Sequence, residues 1–123
     1  MININEEKLN NIKDEAIKNF VPILRDDTMK IIEEKLNEIK PNKILEVGTA
    51  VGYSAITFSK YLAENGRIDT IERNEKRYNE AIKNIKDMNL QDVINVIFGD
   101  ANEILKKLDD KYDVIFIDAA KGQ

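Results

Sequence analysis

Four carboxylates lie in or directly after the short apolar runs of this sequence, and they are its clearest candidates for ligand chemistry. They are Glu46, Glu72, Asp100 and Asp118. A carboxylate can accept hydrogen bonds from ligand hydroxyl or amino groups, hold an ammonium group, or contribute to a metal site. The sequence contains no His and no Cys, which excludes a Ser-His-Asp triad, a thiolate nucleophile and most zinc sites. Any catalysis must therefore use carboxylates, lysine, tyrosine, backbone dipoles or a hard metal ion.

The first of these carboxylates stands just before a loop with two glycines. The β-prone run Ile44–Val47 leads into the loop Gly48–Gly52, and a helix-prone segment follows from Tyr53. This arrangement suits a nucleoside or anionic ligand, because glycine allows close backbone approach and a helix start offers unpaired N–H groups. The loop lacks the G-x-G-x-x-G of dinucleotide-binding proteins and the Gly-Lys-Ser/Thr of a phosphate-binding loop, and Glu46 would repel a pyrophosphate. The pattern therefore favours a ligand that has a positively charged end and no phosphate.

Each carboxylate has both a ligand-binding and a purely structural interpretation. Glu72 could accept hydrogen bonds from ribose hydroxyls, or it could be an acid at the N-terminus of the next helix. Asp100 could meet an adenine amino group, or it could cap a helix that begins near Asn102. Asp118 could hold an ammonium or a metal, or it could end a strand, and Glu46 could serve only to bond N–H groups of the loop. These alternatives stay open, although the four acids together mark the strand ends that meet on the ligand-binding rim of a parallel sheet.

Hydrophobic periodicity predicts two helices at the N-terminus. The first covers residues 6–20, with Ile17 and Phe20 on its apolar face. The second begins at a cap formed by Asp26 or Asp27 and ends before Pro41. These two helices precede the segments that carry the four acids.

Strands and helices alternate in the rest of the chain. The predicted strands are 44–47, 67–72, 93–98 and 112–118, and the predicted helices are 54–65, 74–88 and 102–108. Four strands alternate with three helices, and two of the strands are near-continuous apolar runs, which indicates a parallel sheet covered on both faces. With right-handed crossovers we therefore expect an α/β fold, a Rossmann-like doubly wound parallel sheet of strand order 3-2-1-4 with two N-terminal helices.

Size and charge restrict the class of protein further. The 123 residues suit one domain, which we divide into an N-terminal helical cap (1–42) and a Rossmann-like core (43–123). The net charge of −4 disfavours a dedicated nucleic-acid binder, since such proteins normally carry a basic surplus. No apolar run reaches membrane-spanning length and the first residues do not form a signal peptide. We therefore expect a cytoplasmic protein that has no membrane partner.

Residues 44–55, 68–73, 99–101 and 112–123 also carry recognisable motifs. Together they resemble the S-adenosylmethionine-binding motifs of the cation-dependent O-methyltransferases, the family that includes catechol and caffeoyl-CoA O-methyltransferases. Residues 21–24, 48–50 and 116–123 resemble in particular the bacterial tRNA 5-hydroxyuridine methyltransferase branch. The resemblance implies a partial class I methyltransferase fold and methyl transfer to an acidic hydroxyl, in tRNA or in a catechol-like small molecule.

The resemblance implies roles for individual residues. The loop at Gly48 would lie against the methionine part of S-adenosylmethionine, with Ser54 bonding its carboxylate. Glu72 would bind the ribose diol, and Asp100 with Ala101 would meet the adenine. The full set implied to bind the cofactor is Glu46, Gly48, Thr49, Gly52, Ser54, Glu72, Arg73, Asp100, Ala101 and Asp118.

The catalytic roles implied by the resemblance fall near the end of the sequence. Asp118 would be a metal ligand near the methionine amino group, and Lys121 would be the base for the acceptor hydroxyl, although it could also be a surface lysine. The segment from Leu24 to Thr28 would form part of a lid over the cofactor. A hard cation such as Mg²⁺ usually needs one or two carboxylates together with substrate oxygens, so Asp118 alone would make a poor site. Family members provide the other protein ligands from a further strand beyond these motifs.

We therefore expect this chain to be the cofactor-binding half of a methyltransferase, with Mg²⁺ belonging to the complete enzyme. Alone it would be inactive and would form a homo-oligomer, since the last strand would be an exposed apolar edge. Two alternatives remain: a non-catalytic cofactor-binding fragment, and a nicotinamide-dependent oxidoreductase domain.

Overall fold

The computed structural model describes residues 2–117, and its strands form one parallel sheet. The helices are α1 (Glu6–Lys18), α2 (Asp26–Ile39), α3 (Tyr53–Ser59), α4 (Glu75–Asp87) and α5 (Ala101–Lys107); the strands are β1 (Lys43–Val47), β2 (Arg67–Glu72), β3 (Ile94–Phe98) and β4 (Val114–Ile117). The sheet order is β3-β2-β1-β4, and every neighbouring pair is parallel. The predicted order 3-2-1-4 and the Rossmann-like class are confirmed.

The strand register brings the carboxyl ends of all four strands to one rim. Val47 at the end of β1 lies opposite Ile71 in β2 and Ile117 in β4. Glu72 at the end of β2 lies opposite Phe98, the last residue of β3. The segments that follow these strands therefore start side by side, as a doubly wound sheet requires of its binding edge.

One hydrophobic core joins the sheet to the helices on one of its faces. Ile44 and Ile68 of the sheet pack with Phe58 of α3 and Ile85 of α4. The same cluster contains buried residues of the two N-terminal helices: Leu9, Met29 and Leu36. The helices before residue 42 thus share a core with the sheet.

The predicted apolar face of the first helix is wrong at its C-terminal end. Ile17 is 55% exposed and Phe20 is 91% exposed. The helix ends at Lys18, and Phe20 takes a positive φ of 58° that turns the chain away from the helical direction. Val21 then folds back, with its N–H donating to the carbonyl of Ala16 at 2.8 Å, and is buried in place of Phe20.

Two other helix boundaries differ from prediction. The N-cap of α2 is Arg25, whose side chain makes no capping hydrogen bond. Asp26 and Asp27 therefore lie in the first turn, where their negative charges stabilise the helix through its dipole. Helix α3 stops at Ser59 instead of residue 65. Beyond it the chain forms tighter i→i+3 bonds, from the N–H of Tyr61 to Phe58 and from the N–H of Leu62 to Ser59, which end the α-helical ladder.

Candidate functional site

The loop Gly48–Gly52 stands over the carboxyl ends of β1 and β2. The N–H groups of Gly48 and Thr49 both donate to the carbonyl of Ile71, at 2.9 and 3.2 Å. Gly48 and Gly52 have φ values of 97° and 93°, a region that a residue with a Cβ enters only at a cost. The two glycines therefore let the chain leave β1, turn sharply and enter α3 within five residues.

Glu72 fixes this loop from the end of β2. Its Oε1 accepts a hydrogen bond from the N–H of Ala50 at 2.8 Å, and its Oε2 accepts one from the N–H of Asn74 at 2.9 Å. The side chain is only 7% exposed. Because each carboxylate oxygen has a second lone pair, Glu72 can anchor the loop and still accept bonds from a ligand. Glu72 is thus also an acid at the N-terminus of the next helix, the structural interpretation, since Asn74 is the N-cap of α4.

Glu46 lies beneath the loop, fully buried in a network of hydroxyl groups. Ser54 Oγ donates to its Oε2, and Thr70 Oγ1 donates to its Oε1 at 2.7 Å. Thr70 Oγ1 also lies 2.7 Å from Thr49 Oγ1. Since the single hydroxyl proton of Thr70 goes to Glu46, Thr49 must be the donor to Thr70. Glu46 thus bonds hydroxyl groups beneath the loop.

Thr70 was missed by the sequence analysis. It lies in β2, two residues before Glu72, and alternate residues of a strand share a face. A threonine in that position is common in strands, so its type gives no signal of a polar contact. The spacing from Glu72 is the one clue that it points towards the same loop.

Asp100, Arg73 and Ala101 lie on the outer part of the rim. The N–H of Gly99 donates to the carbonyl of Glu72 at 2.9 Å, which places the start of the β3–α5 turn beside Glu72. Asp100 is exposed and caps α5, with its Oδ2 accepting from the N–H of Glu103 at 3.3 Å. The capping interpretation of Asp100 is therefore realised, while Arg73 is exposed and Ala101 half-buried.

The segment between α1 and α2 covers the loop from above. Val21 packs with Ala50 and Val51, and Leu24, part of the predicted lid, lines a small cavity with Thr49 and Ser54. An ion pair of 2.6 Å between Lys13 and Asp26 joins the two helices at the ends of this segment.

Two ionisable groups respond to this packing. The hydrogen bond to Asp26 raises the pKa of Lys13, so the ammonium form that holds the ion pair persists through the neutral range. Burial raises the pKa of Tyr53, which borders the same cavity. Tyr53 therefore stays neutral beside the loop.

The predicted catalytic residues Asp118 and Lys121 lie outside the described residues. Within residues 2–117, no group of three or more His, Cys, Asp or Glu side chains is arranged to hold a metal ion. The described part of the chain also contains no helix both long and apolar enough to cross a membrane.

Comparisons with known proteins agree with this geometry. Residues 5–123 match the model of a family described as O-methyltransferase. Over 82 residues, 63% of this chain and 37% of the relative, the sequence is 40% identical to a catechol O-methyltransferase of Niastella koreensis. Over 89 residues, 72% of this chain and 33% of the relative, it is 33% identical to the Bos taurus catechol O-methyltransferase.

A solved structure shares the fold as well as the sequence similarity. The O-methyltransferase from Bacillus cereus in complex with SAH superposes with a TM-score of 0.82 at 28% identity, covering 93% of this chain and 55% of that one. The chain spans between a third and about half of the length of the curated relatives it matches.

Proposed function

This chain belongs to the O-methyltransferase family, and on that premise we propose that it binds S-adenosylmethionine as the cofactor-binding part of an O-methyltransferase. When bound, S-adenosylmethionine supplies a methyl group on a sulfonium, from which an acceptor oxygen can take it. The observation that carries the proposal is Glu72, buried at the rim beside the glycine loop. The described residues fit an adenosyl ligand at this edge.

The carboxylate of Glu72 suits a ribose diol. Two vicinal hydroxyls can each donate to a carboxylate oxygen, and charge-assisted bonds of this kind are strong. The existing bonds from Ala50 and Asn74 hold both oxygens in place, so Glu72 is already oriented before a ligand arrives. Asp100 and Ala101 remain our candidates for the adenine end.

Ser54 remains our candidate for binding the methionine carboxylate. Its hydroxyl donates to Glu46 beneath the loop Gly48–Gly52, so the Ser54 side chain lies next to the proposed methionine end of the site.

The identity of the acceptor and the acid–base chemistry rest on the sequence motifs alone. We propose an acidic hydroxyl as acceptor, either 5-hydroxyuridine of tRNA or a catechol-like molecule, with Lys121 as base and Asp118 as a ligand of Mg²⁺ in the complete enzyme. For the isolated chain we propose cofactor binding without turnover, self-association and a cytoplasmic location. The division at residue 42 also remains a proposal.

Calorimetric titration tests the proposed ligand class. We expect S-adenosylmethionine and S-adenosylhomocysteine to bind and NAD not to bind, because the loop lacks the dinucleotide glycine pattern. Glu64→Ala is a suitable control, since Glu64 is an exposed acid on the turn before β2, at the end of the strands opposite the candidate site. The Glu64→Ala variant should bind like the unmodified chain. Heat with NAD and none with either adenosyl ligand would show that the chain is not a methyltransferase cofactor domain.

A further inference from the structure

Thr70 places a hydroxyl group at a fully buried position that a residue of the same shape without a hydroxyl could also fill. Its side chain is fully buried in β2, between the buried residues Ile68 and Ile71. Valine has nearly the same shape, and burying a hydroxyl is unfavourable unless its hydrogen bonds are made. The hydroxyl of Thr70 makes two, each of 2.7 Å, to Thr49 and Glu46.

These hydrogen bonds connect the loop Gly48–Gly52 to two strands at once. Thr49 belongs to the loop, Thr70 to β2 and Glu46 to β1. The loop is also held by the carbonyl of Ile71 and by Oε1 of Glu72. Three consecutive residues of β2, Thr70 to Glu72, therefore hold the loop, and of these Thr70 is fully buried.

We propose that Thr70 is a positioning residue: its buried hydroxyl sets the position of the loop Gly48–Gly52 and thereby the affinity for the adenosyl ligand, without touching that ligand. The inference rests on the proposed function for its ligand. Glu72 cannot reveal this effect, because it would both hold the loop and bind the ribose. Thr70 separates the two, since it is fully buried.

Three variants of the full chain test the proposal. Thr70→Val removes the hydroxyl and keeps the shape, and Thr70→Ser restores a hydroxyl. Thr57→Val is the matched control, because Thr57 is as buried as Thr70 but its hydroxyl donates to the carbonyl of Tyr53 within α3, at 2.9 Å. Both positions are buried, so a general loss of packing would affect both valine variants.

The first measurement is the affinity for S-adenosylhomocysteine by calorimetry. We expect Thr70→Val to bind about tenfold more weakly, because the loop loses the one of these two hydrogen bonds, from Thr49, that holds it to β2. Thr70→Ser should recover most of the affinity, and Thr57→Val should bind like the unmodified chain. Equal affinity of Thr70→Val and the unmodified chain, or equal weakening in both valine variants, would contradict the proposal.

The second measurement needs no ligand. Amide hydrogen exchange at Thr49 and Ala50 should be faster in Thr70→Val than in Thr57→Val and should slow again in Thr70→Ser. If the unmodified chain fails to bind the adenosyl ligand, the proposed function is wrong, and exchange alone decides whether Thr70 holds the loop. Equal exchange at these amides in the two valine variants would overturn the positioning role whatever the ligand.

Discussion

Glu72 combines two tasks at the scale of a single residue, and mutation can separate them. We expect Glu72→Ala to weaken S-adenosylhomocysteine binding more than Asp100→Ala does. A ribose diol can give the carboxylate two charge-assisted bonds worth roughly 1.5–3 kcal/mol each, whereas Asp100 is exposed and already caps α5. Calorimetric affinities of the two variants measure the difference.

The loop bonds of Glu72 require their own control. Glu72→Ala also removes the anchor of the Ala50 N–H, and this loss alone would weaken binding. Thr70→Val loosens the same loop without removing a ligand contact, so it estimates the structural share. A ribose role for Glu72 is contradicted if Glu72→Ala binds no more weakly than Thr70→Val, or if Asp100→Ala has the larger effect.

The sequence singles out the acids of the candidate site but not the contacts that they make. Glu46 and Glu72 stand out because a charge at the end of an apolar strand has few structural reasons. The contacts among Thr49, Thr70 and Glu46 join residues far apart in the chain, and they depend on strand register. Periodicity does not determine register between strands, so these contacts become visible only once the chain is folded.

At the scale of the elements, the end of α2 offers a test of backbone strain. Lys40 is the C-cap of α2 with a φ of 49°, a left-handed conformation. A residue with a Cβ pays roughly 1–2 kcal/mol there, while glycine adds about 0.5–1 kcal/mol of unfolded-state entropy. We expect Lys40→Gly to raise the free energy of unfolding by about 0.5–1 kcal/mol, measured by urea denaturation.

The matched control is a glycine substitution that should change the free energy of unfolding in the opposite direction. Lys35 is an exposed lysine inside the same helix, where glycine costs about 1 kcal/mol relative to a good helix former. Lys35→Gly should therefore lower the free energy of unfolding. A loss of stability in both variants would mean that the left-handed turn at Lys40 stores no relievable strain.

The helices and strands could be predicted from the sequence, whereas the exact ends of two helices could not. The strands were predictable because short segments of β-prone residues lie between turn signals, as at residues 67–72, where β2 has the predicted bounds. The ends of α1 and α3 depended on local hydrogen bonds. Val21 folds back onto Ala16, and i→i+3 bonds replace the helical ladder after Ser59. Neither event leaves a pattern in residue hydrophobicity.

At the scale of the whole molecule, the described sheet has an apolar edge at β4. This strand pairs with β1 on one side only, within the described residues. Phe116 packs edge-on against Phe58, with ring centroids 5.4 Å apart. The alternate residues Ile115 and Ile117 are 58% and 65% exposed. An edge strand with exposed β-branched residues is a template for pairing with another chain.

We expect a polypeptide of these 123 residues to self-associate through β4, most simply as a two-fold dimer. Ile115→Lys should shift it towards monomer, because a charge on this strand opposes edge pairing. Ile31→Lys is the control, since Ile31 is similarly exposed at 61% but lies on α2, and it should associate like the unmodified chain. Sedimentation velocity over a range of concentrations measures all three. A stable monomer at high concentration would refute self-association, and equal dissociation by both lysine variants would show that the contact is not at β4.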